Sequence, residues 1–491
     1  MASASEITIA DLMAFEVTDL NPDPWPPDLK LKETSDPCTD AANAQRFAEQ
    51  FGRDVLYIDG LSWYRFNGTC WIPDKNYADR CAQELGSLIR DESIQNALAA
   101  SNTELSRAER DAAQKKAEAL LMWAKRSESI GHITATQKLA TAHLYVRPSD
   151  MDAHTWLLNC SNGTLDLQTG KLRSARRAEL ITKSTPIPYD PDASYDLWEQ
   201  TLLSVCCEYM ELVRYLQRVF GYCLTGDTSE QVMFIFNGSG ANGKDTILGR
   251  VKKAMGDYAG LAAPSLLMVS RGDRHPTETA DLFGIRMAIA SESNENGKLN
   301  ETLVKQLTGS ETLKARKMRQ DFFEFPALFK LVLMTNHRPI IEGSDYAIWR
   351  RIHLVPFNAV YKKGVNRDDT LPARLDQELP GILRWCVEGC LEWQRIGLQP
   401  PEVVQRATQQ YKQDQDVLAQ FFDERCVLKT QAQVTAKAFY ATYERWCSEN
   451  GERTKSQMWL WPKLEERGIV KDKTRMGFTY RGIGLLDSDN V

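Results

Sequence analysis

The sequence predicts a multidomain chain of α/β and α+β parts: an α+β domain first, an α/β core next, and a small helical domain ending in a β-hairpin. Three observations predict it. Asn-Gly turn signals at Asn67-Gly68 and Asn162-Gly163 punctuate apolar runs within the first 190 residues, among long helical patterns. From Val232 onward, short apolar runs alternate with helical segments, the pattern of a mostly parallel sheet covered on both faces. After residue 416, three helical patterns precede two strand patterns. A length of 491 residues, at ~150 per domain, fits three such units.

Residues 1–43 carry nine acidic side chains against two lysines, net −7, so the formal charge of −6 leaves the rest of the chain at +1. Their proline-rich stretch from Asn21 to Asp28 cannot form a helix and has little to bury, so a tail or linker is expected. From Ala44 a helical pattern (Ala44, Phe47, Ala48, Phe51) gives way to a strand at Val55 to Ile58 and an aromatic hairpin at Trp63 to Trp71. Amphipathic helices fill residues 76–145, with an interruption expected at the charged segment Glu104 to Lys116. A second hairpin at Trp156 to Leu167 completes an α+β region that ends near Pro186 to Asp192, and residues 197–225 read as helical.

Val232-Met233-Phe234-Ile235-Phe236 then reads as a buried strand opening into Asn237-Gly238-Ser239-Gly240-Ala241-Asn242-Gly243-Lys244-Asp245-Thr246, a phosphate-binding loop that enters a helix. The chemistry needs this spacing. Gly238, Gly240 and Gly243 let backbone N–H groups curl round phosphates, the helix presents its positive N-terminus, and Lys244 reaches the β and γ oxygens. Expected nucleotide contacts run from Gly238 through Ser239, Gly240, Ala241, Asn242, Gly243, Lys244 and Asp245 to Thr246. One position departs from the G-x-x-x-x-G-K-[ST] pattern: Asp245 stands where a hydroxyl usually holds Mg2+. Either Asp245 coordinates the metal, or Thr246 takes over, or nucleotide binds without efficient turnover.

Met287-Ala288-Ile289-Ala290 reads as a second buried strand ending at Glu292, with Glu295 close behind; a carboxylate there can hold Mg2+ and polarise an attacking water. A third strand, Leu331 to Thr335, ends in Asn336, which can position the γ-phosphate or that water. Arg350 and Arg351 are suited to reach a phosphate across a subunit boundary. Between the second and third strands, Lys298 to Gln320 holds six basic and two acidic side chains, net +4. Its densest part, Lys314-Ala315-Arg316-Lys317-Met318-Arg319, precedes Phe322-Phe323-Glu324-Phe325-Pro326, a basic hairpin or loop braced by an aromatic strand. Such a cluster suits the phosphates of a nucleic acid, and as a charge run alone it reads as a solvated face.

The C-terminal patterns are helical at residues 416–426 and 434–449, helical again at Lys455 to Arg467, and two-stranded at Ile469 to Arg481. Residues 453–481 hold eight basic and three acidic groups, net +5, with Lys471, Lys473 and Arg475 among them. No apolar stretch approaches the ~20 residues of a bilayer span, and the amino terminus lacks a signal-peptide pattern, so a soluble, intracellular chain without membrane contact is expected. Eleven cysteines form no C-x-x-C pair and six histidines are dispersed, which points to reduced core thiols rather than zinc.

Together these motifs resemble helicase superfamily 3, specifically the phage, plasmid and poxvirus primase-helicase family with its AAA-like P-loop ATPase core. The resemblance rests on Gly238 to Lys244, Ala290-Ser291-Glu292, Leu303 to Gly309 with Ala315-Arg316, Thr335-Asn336-His337-Arg338-Pro339 and Ile348-Trp349-Arg350-Arg351-Ile352, in that order, with Thr225 to Gln231 as a lead-in. With this resemblance the chain divides into an acidic, proline-rich tail or linker at 1–43, an α+β accessory domain at 44–190, the ATPase core with its helical lead-in at 191–360, a helical connector at 361–415 and a winged-helix domain at 416–491. Carried over by position, Lys244 becomes the phosphate lysine, Glu292 the Walker B carboxylate with Glu295 as a second acid, and Asn336 sensor 1. Arg350 or Arg351 becomes the finger acting on a neighbour's ATP. ATP and Mg2+ are the implied cofactors, with Asp245, Thr246 and Glu292 as metal candidates. Lys314, Arg316, Lys317 and Arg319 correspond to a hairpin that tracks single-stranded DNA, and Lys471, Lys473 and Arg475 to a wing on phosphates; a winged helix also serves as a protein-docking unit.

The implied function is a ring-forming, ATP-driven replicative DNA helicase of a phage, plasmid or other mobile element. A hexamer moving 3′ to 5′ in the host cytoplasm is implied, with a separate primase or polymerase as partner. Two alternatives stand beside it: an ATP-switched initiator that binds origin duplex DNA, and a scaffold that recruits a primase through residues 44–190.

Overall fold

A computed structural model describes residues 36–263, 266–269, 276–292, 297–309, 312–316, 322–343, 346–474 and 477–486. These fall into two compact units. One reaches Ile340 and resumes after the segment 341–344 as far as Gln405; the other consists of that segment and the chain from Arg406 onward.

The first unit begins with α1 (Asp40–Phe51), capped by the Thr39 side chain, which accepts from the Ala42 N–H. β1 (Val55–Ile58), β2 (Ser62–Phe66) and β3 (Trp71–Pro73) form an antiparallel meander, closed at the predicted turn by Asn67 Oδ1, which accepts from the N–H groups of Thr69 and Cys70. The helices α2 (Lys75–Ala100), α3 (Arg107–Ser127) and α4 (Ile130–Ala140) follow, and β4 (Tyr145–Val146) joins β1 in parallel. Phe47, Val55, Trp63, Cys81, Leu85 and Ala140 share one core. The helical break falls at residues 101–106 rather than across Glu104 to Lys116. Ser106 and Glu109 form a capping box, so the charged residues open α3 instead of interrupting it.

β5 (Leu157–Cys160), β6 (Gly163–Asp166) and β7 (Lys171–Arg173) build a second antiparallel sheet at the predicted hairpin. The stretch read as helical from 197 to 225 is two helices, α5 (Asp196–Val205) and α6 (Met210–Leu224). Between them Cys207 and Glu208 both take positive φ, which no helix accommodates.

Then comes the α/β core: β8 (Met233–Asn237), α7 (Lys244–Met255), β9 (Ala259–Leu261), α8 (Pro276–Ala280), β10 (Met287–Glu292), α9 (Glu301–Leu307), β11 (Thr312–Ala315), β12 (Phe323–Pro326), β13 (Lys330–Thr335), α10 (Tyr346–Trp349) and β14 (Ile352–Pro356). Five of these strands make one sheet in the order β14-β8-β13-β10-β9, every pair parallel. β11 and β12 pair only with each other, antiparallel, as the predicted hairpin. After α11 (Leu371–Gln377), the buried helix α12 (Leu379–Ile396) packs backbone to backbone on α6: a Cβ added at Gly389 would lie 2.0 Å from the Gln217 carbonyl oxygen. Cys386 and Cys390 are buried in that helix.

After α13 (Glu402–Asp414), the second unit contains α14 (Val417–Arg425), β15 (Cys426–Thr435), α15 (Ala436–Asn450), α16 (Gln457–Glu465), β16 (Val470–Thr474) and β17 (Gly477–Leu485). Phe421, Phe439, Tyr443, Trp446, Leu464 and Ile483 form its core. The sheet has three strands, β15-β17-β16, where the sequence pattern predicted two. β15 escaped notice because its middle is polar and exposed and its register shifts between Leu428 and Gln433. Among the described residues no helix is long and apolar enough to cross a membrane.

Candidate functional site

Sheet topology selects the place. β8 leads through α7 to β9, beyond β13 and β10, whereas β13 leads to β14 on the other side of β8. The connections leaving the adjacent strands β8 and β13 therefore run in opposite directions, and right-handed crossovers put them on opposite faces of the sheet, which leaves a crevice at the carboxyl ends of these strands, where ligands of open α/β sheets bind. The glycine-rich loop 238–243 lies there.

The loop glycines are needed for two reasons, close contact at Gly238 and positive φ at Gly240 and Gly243. A Cβ on Gly238 would meet Asn242 Nδ2 at 2.1 Å and the Phe357 carbonyl oxygen at 2.4 Å. Gly240 stands in open space but has φ +95°, and Gly243, the residue before α7, has φ +85°. Asn242 is buried and donates to the Phe357 carbonyl at 3.3 Å, tying the loop to the residue after β14. α7 starts at Lys244 with no side-chain cap from Gly243; the Lys244 N–H donates to Asn242 Oδ1 at 3.5 Å, which leaves the N–H groups of Asp245 and Thr246 for a ligand.

Lys244 is only 4% exposed, yet has no carboxylate partner among the described residues. Its ammonium donates to the Gly238 carbonyl at 3.1 Å and to Asn336 Oδ1 at 2.6 Å. Burial pulls its pKa below the ordinary lysine value, and Asp245 pulls the other way. Asn336 reaches this position because Thr335, buried at the end of β13, accepts the His337 N–H at 3.1 Å and fixes the turn. Two residues 92 positions apart in the sequence thus converge on one crevice. Asp245 is exposed on the first turn of α7 and Thr246 beside it is half-buried.

Glu292 ends β10 opposite Thr335, which in turn lies opposite Asn237, so its backbone shares the carboxyl edge of the sheet with the glycine loop. Glu295 lies outside the described residues. The two arginines separate. Arg351 is 9% exposed, with Nε donating to Thr308 Oγ1 at 3.1 Å and Nη1 to the Ala347 carbonyl at 2.7 Å. Arg350 is exposed and donates to Gln231 Oε1 at 2.8 Å. Both stand at the amino-terminal edge of the sheet, since the Met233 N–H that starts β8 donates to the Arg351 carbonyl. The five residues of β8, at about 3.3 Å each, place them about 17 Å from the glycine loop of their own chain.

Of the basic candidates on the β11–β12 hairpin, Lys314 and Arg316 are exposed, while Lys317 and Arg319 lie outside the described residues. The aromatic strand divides its work: Phe323 and Phe325 pack edge-on against Phe283, whereas Phe322 is exposed beneath Lys314 Nζ at 5.2 Å and the Arg316 guanidinium at 5.0 Å. In the second unit, Lys471 is half-buried and Lys473 exposed on β16, and Arg475 lies outside the described residues.

Some contributors were not visible in the sequence. Tyr361 donates its N–H to the Ala241 carbonyl at 2.8 Å and shares a 2.8 Å hydrogen bond with Ser204 Oγ, bracing the loop from outside. Val205 closes the same side, 2.6 Å from where a Gly243 Cβ would lie. Nothing in the spacing of residues 204, 243 and 361 foretells this meeting; only the fold brings them together.

Residues 44–207 match the family described as D5 N terminal like, and residues 236–351 match a Family of unknown function (DUF5906). The chain is 24% identical over 325 residues to a "Putative helicase" of Acanthamoeba polyphaga mimivirus, covering 61% of this chain and 34% of that protein. It is 26% identical over 256 residues to a "Putative helicase" of Frog virus 3, covering 48% of this chain and 26% of that one. A "Putative primase" of African swine fever virus is 26% identical over 230 residues, covering 45% of this chain and 24% of that one. These relatives are matched over no more than 34% of their own length. A solved structure, the apo A form of the NrS-1 C terminal region, aligns with a TM-score of 0.40 at 13% identity, over 64% of this chain and 81% of that one. The chain thus combines a D5 N-terminal-like segment with a DUF5906 segment, and has viral homologues named as helicases or primases.

Proposed function

We propose that this chain is an ATP-dependent DNA helicase of superfamily 3, acting in replication of a phage, plasmid or other mobile element. It assembles as a ring, a hexamer, and moves 3′ to 5′ on single-stranded DNA in the host cytoplasm, with priming supplied by a separate primase or polymerase. The single observation that carries this is Lys244: a lysine only 4% exposed and lacking a described carboxylate partner, at the mouth of a glycine loop in the crevice between oppositely directed sheet connections. Such a cation is satisfied by an anion, and the N–H groups of Asp245 and Thr246 at the start of α7 favour phosphate.

In this reading the phosphates of ATP lie on Gly238 to Thr246, and Lys244 turns from Asn336 toward the β and γ oxygens. Asn336, released from that hydrogen bond, orients the γ-phosphate or the attacking water, and Glu292 polarises the water from the same sheet edge. Asp245, Thr246 and Glu292 offer the hard oxygen donors that Mg2+ takes alongside phosphate and water. Such an ion, held by these residues, would supply positive charge against the negative charge of the phosphates. Arg350 becomes the finger rather than Arg351: it is exposed at the sheet edge remote from its own loop, so it serves the ATP of a neighbouring subunit, while Arg351 holds α10 in the fold. Lys314 and Arg316, with Lys317 and Arg319, contact the DNA strand. The three helices and antiparallel sheet of the second unit support a winged-helix domain.

Asp245 favours a second reading. A carboxylate in place of the metal-binding hydroxyl suits an ATP-switched initiator or scaffold, binding origin DNA or a primase with little unwinding. Strand displacement separates the two. A fork with a 3′ tail should be unwound with ATP and not with a non-hydrolysable analogue, and a 5′-tailed fork poorly; tight DNA binding with no displacement on either fork would reject the helicase.

A further inference from the structure

The β16–β17 hairpin has two unlike faces. Register pairs Lys471 with Tyr480 and Lys473 with Phe478, and alternation along each strand puts all four on one side. The opposite side carries Asp472 and Arg481, which neutralise each other in an ion pair. On the first face, Tyr480 is buried against Phe439 and stacked on Trp461 of α16, with centroids 5.7 Å apart and planes 12° apart. Lys471 Nζ lies 5.1 Å over Trp461 and 4.3 Å over Phe478. Beyond that point the face leaves the core: Phe478 is 48% exposed and Lys473 exposed, and neither Lys471 nor Lys473 has a carboxylate partner among the described residues.

Rings interleaved with cations that have no described carboxylate partner fit a strand that offers bases and phosphates in alternation. The neighbouring helix argues against paired bases. α16 opens with an exposed Gln457 but continues with Met458 (88% exposed), Trp459, Trp461 and Pro462, and its Lys463 pairs with Glu466, so it offers few of the Arg, Asn or Gln side chains that read base edges. We propose that this face, Phe478 with Lys471, Lys473 and the Trp461 edge, binds single-stranded DNA by stacking an unpaired base on Phe478. It deepens the DNA partner proposed above, and it requires no nucleotide, so it stands or falls separately from the ATP site.

The test is fluorescence anisotropy on the full chain without nucleotide, at fixed salt. The probes are a thymidine oligomer, the same oligomer with abasic positions and a blunt duplex, for wild type, Phe478→Ala, Phe478→Tyr and Lys471→Ala. Phe478→Ala should weaken the thymidine oligomer by at least about five-fold, and the abasic oligomer much less, with Phe478→Tyr restoring most of the affinity. Lys471→Ala should reduce the salt dependence for every single strand by roughly 0.7 in the log–log slope. Lys244→Ala should change none of these affinities. An iododeoxyuridine strand should crosslink to residues 477–485. An equal loss on all three probes would instead assign the face to backbone or duplex binding. No loss on any probe, with no crosslink, would assign it to a protein partner; either outcome overturns the proposal.

Discussion

Asn336→Asp should move fold stability and nucleotide affinity in opposite directions. The asparagine oxygen sits 2.6 Å from the Lys244 ammonium, so a carboxylate in its place becomes the counter-ion that Lys244 lacks among the described residues. At that separation the Coulomb energy is about 1.6 kcal/mol at ε of 80 and about 6 kcal/mol at ε of 20. Asn336 is exposed, which favours the lower part of that range, about 2 kcal/mol. Phosphate must displace this pair and also meet the new negative charge, so ATP should bind roughly 30-fold more weakly. Without nucleotide the variant should be as stable as wild type or more so, by up to about 1 kcal/mol. Titration with a fluorescent ATP analogue, beside thermal melts of the nucleotide-free protein, reads both quantities. Unchanged ATP affinity in a folded Asn336→Asp variant would refute the placement of phosphate between Lys244 and Asn336.

Arg350→Ala should leave stability and ATP binding near wild type and slow hydrolysis in assembled rings by on the order of 10³-fold, whereas Arg351→Ala should destabilise the fold by about 2–3 kcal/mol through its lost buried hydrogen bonds; denaturant unfolding and turnover assays on both variants check this. Gly238→Ala should cost about 1–3 kcal/mol and displace Asn242, because its Cβ has no room, and an unchanged urea midpoint would contradict the close contact. Burial beside Tyr215 pushes the His353 pKa down to about 4 from its ordinary 6.5. The unfolded chain therefore takes up a proton first, and stability falls as pH drops from 6.5 toward 4, by about 3 kcal/mol from this group. His353→Gln should flatten that part of a stability–pH curve.

Much of the core was legible because its chemistry is local. The glycine loop, its lysine and the following helix are contiguous in sequence, and the apolar runs of β8, β10 and β13 are long enough to be read as buried strands. Lys244 and Asn336 were each named as site residues, but their hydrogen bond was not foretold, because 92 positions separate them. Arg350 and Arg351 were indistinguishable in sequence, and only burial of the second separates them. The split between α5 and α6 was hidden because Cys207 and Glu208 carry no turn signature despite their positive φ. β15 was hidden by its exposed polar middle. Tyr361 and Ser204 were beyond reach, since a brace between distant segments leaves no periodicity.

Steady-state ATP hydrolysis with and without single-stranded DNA, at one moderate salt concentration, tests the proposed motor most directly when wild type is compared with Lys244→Ala and Asp245→Ser. Turnover strongly stimulated by DNA and abolished in Lys244→Ala is the expected result. Tight ATP binding without stimulated turnover, restored by Asp245→Ser, would contradict the motor and identify Asp245 as the residue that makes this chain an ATP-bound switch.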